Sequence, residues 1–217
     1  MTEKIHKTPL GDIHYWTNII DENAVTLVFL PGLTADHRLF EKQIEYFENK
    51  FNVFVWDAPA HNSSWPFKFD FDLMDKAKWL DEILENEKIT KPVIIGQSMG
   101  GYVGQAYAEL FPQKLKGFIS IDSCPLKRRF YSWWELALLK HTYWMYMSIP
   151  WKLLVKWGTN GTATTSYGRS IMKSFMDSYD RKEYCRLADH GYRLVAEAVE
   201  AELPYDIKCP VLLMCGE

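Results

Sequence analysis

The chain has 217 residues, of which 47% are hydrophobic, and a formal net charge of −3 at pH 7. This size and apolar content allow a core domain with an insertion, and no basic stripe predicts a nucleic-acid surface. A polar N-terminus without an apolar leader segment, and four cysteines without a CxxC pair, predict a cytoplasmic protein with no metal.

The first 124 residues predict alternating strands and helices. The polar opening stretch predicts an antiparallel edge hairpin that turns at Gly11-Asp12. Apolar runs that lack polar alternation follow at residues 26–30, 52–56, 92–96, 117–121 and 210–215. Such runs are typical of strands covered on both faces by helices. Helical patterns separate the first four runs, so we expect an α/β fold with a doubly wound, mostly parallel sheet.

The alternation stops between residues 125 and 204, where the sequence reads as helices with no strand. We therefore expect a core at 1–124, an inserted helical cap at 125–204 and a return to the core at 205–217. Aromatic residues crowd the first part of the insertion, which predicts an aromatic lid or a large apolar pocket.

The aromatic stretch at residues 131–157 is the one segment that resembles a membrane span. Charged residues and Pro150 interrupt it, and they leave far fewer than the ~20 consecutive apolar residues that a span needs. We expect no membrane partner. An interfacial helix that brings the chain to a membrane surface stays open as a less favoured alternative.

Gly96-Gln97-Ser98-Met99-Gly100 fits the pattern G-x-S-x-G, between an apolar strand and a helical stretch. This context predicts a nucleophile elbow, a sharp turn that lifts the serine oxygen over the sheet edge. The flanking glycines leave room for the turn, and the helix N-terminus points free N–H groups at the reaction centre. A chance Gly-Ser-Gly loop or a phosphate-binding turn is the alternative.

A second motif follows the run at 26–30. Its turn at Pro31-Gly32 presents the backbone N–H of Leu33, while the elbow presents that of Met99. Two donors that converge on one oxygen form an oxyanion hole. An ordinary strand-to-helix turn with Asp36 as helix N-cap is the plainer interpretation, and the two are compatible.

Together these motifs resemble the α/β-hydrolase superfamily, close to its small esterase, lipase and C–C hydrolase branch. The resemblance rests on Pro31-Gly32-Leu33, on the elbow GQSMGG and on the loop WDAPAHNSS at 56–64. It implies a nucleophilic Ser98 and no cofactor. Pro31 stands where the family usually has histidine, and the second loop lacks the usual glycines, although Asn62 tolerates a left-handed backbone.

The family order is serine, then an acid, then a histidine, with the acid after the strand that here ends near residue 215. The resemblance therefore implies that acid and base lie beyond Glu217, which itself falls short of the acid position. We expect the C-terminal strand and helix to be missing, so a missing C-terminal segment or a second chain would complete the sheet. Within the chain, Asp122 is a candidate acid, and His37 and His61 are candidate bases.

The predicted function is a serine hydrolase that cleaves a small, fairly hydrophobic carboxylic ester through a Ser98 acyl-enzyme. Two alternatives stay open. A non-catalytic binding protein or catalytically incomplete fragment would keep the pocket but lack the machinery. A C–C bond hydrolase, lactonase or thioesterase would use the same residues on another substrate.

Overall fold

A computed structural model describes residues 1–216 and shows one seven-stranded sheet. The strands are β1 Thr2–Thr8, β2 Gly11–Asn18, β3 Thr26–Leu30, β4 Asn52–Trp56, β5 Val93–Gln97, β6 Gly117–Ile121 and β7 Val211–Met214. Their order is β1-β2-β4-β3-β5-β6-β7. The pairs β1–β2 and β2–β4 are antiparallel, and every other pair is parallel. The predicted fold class is confirmed.

Eight α-helices accompany the sheet within residues 1–216. They are α1 Glu41–Phe47, α2 Leu73–Asn86, α3 Met99–Leu110, α4 Trp133–Leu139, α5 Thr142–Ser148, α6 Trp151–Thr162, α7 Ser166–Asp177 and α8 Arg181–Glu200. Alternate strand residues point to opposite faces. Val53 and Val55 of β4 pack in the cluster that includes α1, whereas Phe54 and Trp56 pack in the larger cluster with α2, α3 and α8.

The predicted edge hairpin forms, but its turn lies at Pro9-Leu10, because Gly11 already pairs with Thr8 as the first residue of β2. The Thr8 hydroxyl accepts hydrogen bonds from the backbone N–H groups of Leu10 and Gly11, at 3.1 and 3.2 Å. This side chain closes the turn before Gly11-Asp12, so the sequence-based placement of the turn was wrong.

Burial differs sharply between the strands. All five residues of β4 are buried, whereas all four residues of β7 are exposed, by between 43% and 72%. An apolar run of this kind is typical of a covered strand, and its exposure here agrees with the expectation that a C-terminal strand and helix are missing from this edge. The only hydrogen-bonded neighbour of β7 in the described sheet is β6, so it forms a sheet edge. The expected further strand and helix stay a prediction.

Helices α4 to α8 lie between β6 and β7 in the chain, as the insertion predicts. Helix α8 packs on the core, since Leu187, Leu194 and Val195 belong to the same buried cluster as the sheet residues Phe54 and Phe118. The boundaries at 125 and 204 stay a prediction. Within residues 1–216 we find no helix that combines the length and the hydropathy of a membrane-crossing segment.

Candidate active site

Ser98 occupies the turn between β5 and α3 with φ 49° and ψ −113°. A positive φ is uncommon outside glycine, and such backbone strain costs on the order of 1–3 kcal/mol. Two hydrogen bonds from the end of β6 hold it in place. The Ser98 N–H donates to the carbonyl of Ile121 at 2.8 Å, and the Ser123 hydroxyl donates to the carbonyl of Ser98 at 2.8 Å.

The glycines around Ser98 are required by contact distances. A Cβ on Gly100 would lie 1.9 Å from the carbonyl oxygen of Leu30 in β3, and a Cβ on Gly96 would lie 2.4 Å from the carbonyl oxygen of Gly100. Neither backbone oxygen can retreat without moving a strand or a helix. The helix therefore approaches the sheet closely only because these positions lack side chains, which agrees with the sequence argument.

The two predicted oxyanion donors lie beside Ser98. Leu33 follows β3 in a turn where Thr34 has φ 64°, and Met99 is the first residue of α3. Both residues line the same cavity as Ser98. Within residues 1–216, neither backbone N–H donates a hydrogen bond to another protein group. These two N–H groups are therefore available to a ligand.

The cavity has a volume of about 290 Å³, close to the lower end of the range for small-molecule sites, roughly 300–1,000 Å³. Its lining residues are Leu33, Ser98, Met99, Tyr102, Tyr131, Glu135, Leu138, Leu139, Tyr192 and Val195. The site is thus mainly aliphatic and tyrosine-lined, and no tryptophan of the described chain lines it. Of the two expectations, an aromatic lid or a large apolar pocket, the large pocket is not found at Ser98 within residues 1–216, and the tryptophans of α4 to α6 point outward or pack among the cap helices.

The charged group at the cavity is Glu135. Its carboxylate accepts hydrogen bonds from the hydroxyl and the N–H of Ser132, at 2.6 and 2.7 Å, in a capping box at the start of α4. These bonds hold the pKa of Glu135 below its usual value. Burial raises the pKa of Tyr102 and Tyr131, so both phenols are neutral at pH 7. Among residues 1–216, the cavity wall therefore carries one negative charge and no positive charge.

His37 forms a histidine–aspartate pair, but it faces another cavity. Its Nδ1 lies 2.8 Å from an oxygen of Asp57, and its ring contacts the Trp16 ring at a tilt of 31° with centroids 3.8 Å apart. His37 lines a surface depression with Trp16 and Glu41 rather than the Ser98 cavity. None of the six histidines, all of which lie within the described residues, lines the cavity at Ser98.

His61 lies in the loop after β4 and is fully buried. Its Nδ1 lies 3.0 Å from the carbonyl oxygen of Pro59, while its Nε2 has no hydrogen-bond partner in the described chain. Burial, and then the positive charge of Lys76, lowers the pKa of His61 to about 3. His61 is therefore a neutral core residue, and the structure gives it no access to Ser98.

Asp122 lies at the carboxyl end of β6, near the elbow, with φ 52°. Its side chain accepts a hydrogen bond at Oδ1 from the N–H of Gly216, at 2.8 Å. It lines a shallow depression with Cys124 and Met214, outside the Ser98 cavity. The Asp122 carboxylate thus binds the backbone after β7, and among residues 1–216 it has no histidine partner. Glu217 lies outside the described residues.

Sequence reasoning missed Asp57, which ties two loops together. It is 0% exposed, and its carboxylate accepts from the backbone N–H and Nδ1 of His37 at 2.9 and 2.8 Å. It also accepts from the Asn62 side chain and the Ser63 N–H, both at 3.1 Å. Burial raises the pKa of Asp57, but the hydrogen bonds and charge of His37 outweigh burial and hold that pKa low.

Asp57 thereby connects the loop after β3, which carries Leu33, to the loop after β4. The signal for it was present, since Asp57 directly follows a buried strand. One carboxylate oxygen each of Asp36 and Asp57 and one ring nitrogen of His37 lie within 4.8 Å of one another, a spacing that could hold a metal ion. Arg38 pairs with Asp36, however, and His37 with Asp57, so protein groups already occupy these oxygens.

Gly191 is a second residue that the sequence did not reveal. A Cβ at Gly191 in α8 would lie 2.4 Å from Cδ1 of Leu33. The absence of a side chain lets α8 lie directly against the loop that carries the Leu33 donor. The two residues are far apart in the chain, so a local pattern cannot show their contact.

The comparisons with known proteins agree with this geometry. The family model described as alpha/beta hydrolase fold matches residues 25–166, and the chain belongs to that family. It is 27% identical over 112 residues to a pimeloyl-(acyl-carrier protein) methyl ester esterase of Wigglesworthia glossinidia brevipalpis, over 51% of this chain and 40% of that protein. It is 30% identical over 97 residues to 3-oxoadipate enol-lactonase 2 of Acinetobacter baylyi, over 43% of this chain and 35% of that protein.

The matched parts thus cover well under half of these relatives' lengths. Among solved structures, a hydrolase from Pseudomonas aeruginosa PA01 superposes with a TM-score of 0.79 at 15% identity, covering 99% of this chain and 80% of that one. At that identity the likeness supports the fold alone.

Proposed function

We propose that this chain is the nucleophile-bearing part of a serine hydrolase for small, uncharged and fairly hydrophobic carboxylic esters. The observation that carries the proposal is Ser98, a half-buried serine on a strained turn that lines a mainly apolar cavity. Strain of this kind persists only where the surroundings enforce it, and it concentrates at functional sites. The names of two relatives, an esterase and an enol-lactonase, describe ester chemistry.

In the proposed reaction the Ser98 oxygen bonds to the ester carbonyl carbon while a base takes the hydroxyl proton. The carbonyl oxygen becomes an oxyanion, which the N–H groups of Leu33 and Met99 stabilise together with the N-terminus of α3. Collapse breaks the ester C–O bond, and the alcohol leaves with the proton. Water then bonds to the acyl carbon while the base takes its proton, and collapse breaks the bond to the Ser98 oxygen. That oxygen takes the proton back, and the carboxylic acid leaves.

The substrate class follows from the cavity wall. Leucine and valine side chains and neutral phenols favour an apolar acyl or alkyl group, and the ionised Glu135 repels a carboxylate. A volume of about 290 Å³ favours a short group over a long chain. Lactones carry the same ester bond and belong to the same proposal.

The base is not among the six histidines in this proposal, because none of them lines the cavity. The expectation that acid and base lie beyond Glu217 stays a prediction. The same observation favours the second candidate, a binding protein that keeps the cavity and performs no hydrolysis.

Hydrolysis of p-nitrophenyl butyrate separates the two candidates. For the hydrolase, in a protein that carries this chain together with the predicted acid and base, we expect p-nitrophenol release, a loss of at least about 1,000-fold in Ser98→Ala, and little change in Ser170→Ala, which removes an exposed hydroxyl on α7 outside the cavity. For the binding protein, wild type and Ser98→Ala would bind the ester with the same Kd, and neither would release p-nitrophenol.

A further inference from the structure

The surface of the cap carries an unusual set of exposed aromatic side chains. Trp133 and Trp144 are 75% and 77% exposed, which is rare for the largest apolar side chain. Trp134, Leu138 and Met145 are exposed beside them in sequence. We call these five residues the tryptophan face.

The five residues lie on the outer side of two helices that share one support. Helices α4 and α5 both pack against α8. Lys140, at the end of α4, pairs with Glu200, and Asp189 accepts from the N–H of Tyr143 in α5 at 2.7 Å. Leu136 and Thr142 are the buried residues of these helices, so the tryptophans point away from α8.

The tryptophan face reaches the proposed active site. Leu138 is half exposed on this face and also lines the Ser98 cavity. Leu138 is therefore common to the tryptophan face and the cavity wall. This shared residue places the tryptophan face next to the cavity rather than on a remote surface.

Charge distinguishes this region from the rest of the chain. Residues 127–157 carry six Lys or Arg residues and one Glu, whereas the whole chain has a net charge of −3. Lys127 and Lys140 pair with acids of other segments. Within residues 1–216 the remaining four form no ion pair with a carboxylate: Arg128, Arg129, Lys152 and Lys156.

We propose that the tryptophan face docks on an anionic phospholipid surface. Tryptophan is the residue that concentrates at membrane–water interfaces, and lysine and arginine near it are attracted by anionic headgroups. A symmetric pair of chains would place the same basic residues opposite one another, which disfavours a second copy as the partner. The docking does not depend on catalysis, but it would deliver lipid-soluble esters to the Ser98 cavity.

Vesicle co-sedimentation of the full chain tests the proposal. We expect it to sediment with vesicles of phosphatidylcholine and phosphatidylglycerol, more weakly with phosphatidylcholine alone, and less as salt rises. The double variant Trp133→Ser with Trp144→Ser should lower the partition coefficient at least about tenfold. Tyr46→Ser, which removes an exposed aromatic ring on α1, is the matched control and should bind as wild type does.

Two further measurements keep the test independent of any one variant. Lys152→Glu with Lys156→Glu should abolish the preference for phosphatidylglycerol vesicles. Brominated lipids should quench wild-type tryptophan fluorescence, and Ser98→Ala should bind vesicles normally even if the proposed hydrolysis is wrong. Wild-type chain left in the supernatant, equal binding by the tryptophan double variant, or a concentration-dependent dimer that this variant abolishes would each overturn the proposal.

Discussion

The elbow around Ser98 and the helices α4 and α5 are built on opposite principles. At the elbow, side chains are absent where the backbone turns, and backbone atoms approach so closely that one methyl group does not fit. On α4 and α5 the largest side chains of the chain stand in solvent. The contrast teaches that residue size depends on the role of the region. A turn of fixed geometry in a packed region needs small residues. The proposed docking surface needs large side chains that make few contacts within the protein.

The largest expected effect is at Gly100. In Gly100→Ala the new Cβ would lie 1.9 Å from the Leu30 carbonyl oxygen, so α3 must shift away from β3. We expect a loss of about 3 kcal/mol or more in the free energy of unfolding, measured by urea denaturation. Gly161→Ala, where a Cβ meets nothing within 4 Å, is the control and should cost nothing. A fully stable Gly100→Ala would break the comparison.

Asp57 sharpens the comparison between the elbow and the outer helices. It holds two loops of the packed region together through its charged carboxylate rather than through the absence of a side chain. Asp57→Asn keeps the shape but loses the charge that His37 faces, and we expect a cost of about 2–3 kcal/mol. The folded-state pKa of Asp57 is depressed, so its stabilisation is present above the unfolded value of about 3.9 and is lost as pH falls through the lower folded value. Stability curves of both forms between pH 7 and 3 should therefore converge in acid.

Lys76 is the exception inside the packed region. It is 1% exposed, its ammonium lies 5.6 Å from the centroid of the Phe71 ring, and it has no carboxylate partner among residues 1–216. Burial lowers its pKa to about 8. Lys76→Met should therefore raise the free energy of unfolding at pH 7, by about 1–3 kcal/mol.

The pH dependence gives the check on that prediction. The unfolded chain binds the Lys76 proton up to about pH 10.4, whereas the folded chain releases it near pH 8, so wild-type stability rises with pH between these values. The advantage of Lys76→Met should shrink over the same window. An advantage that stays constant from pH 7 to 10 would contradict the assigned burial of the charge.

The smallest expected effect is on the tryptophan face. Trp133→Ser with Trp144→Ser removes two indoles that stand mostly in solvent, so we expect a change within about 0.5 kcal/mol in the free energy of unfolding. Thermal denaturation of the double variant beside wild type checks this. A large loss would mean that these side chains support the cap, and the contrast with the elbow would fail.

Local pattern was enough to predict most of the sheet and the elbow. The apolar runs ended at turns, and Gly-x-Ser-x-Gly stood between a strand and a helix, so both signals lie within a few neighbouring residues. Asp36 as a cap and Asn62 in a left-handed turn were predicted for the same reason, and both are confirmed.

Long-range contacts were beyond the sequence. The Ser123 bond to Ser98, the tie from Asp57 to two loops and the contact of Gly191 with Leu33 each join distant segments. The exposure of the tryptophans was also misjudged, because a tryptophan pair looks the same in sequence whether or not another segment covers it. Lys76 was missed because a lysine inside an amphipathic pattern normally faces water.

The most direct test of Ser98 as a nucleophile is labelling with a fluorophosphonate, followed by peptide mass mapping. In a protein that carries this chain together with the predicted acid and base, we predict one adduct per molecule, located on Ser98, absent in Ser98→Ala and retained in Ser170→Ala. If that folded protein stays unlabelled, or if the adduct lies on another residue, the proposed nucleophile is contradicted.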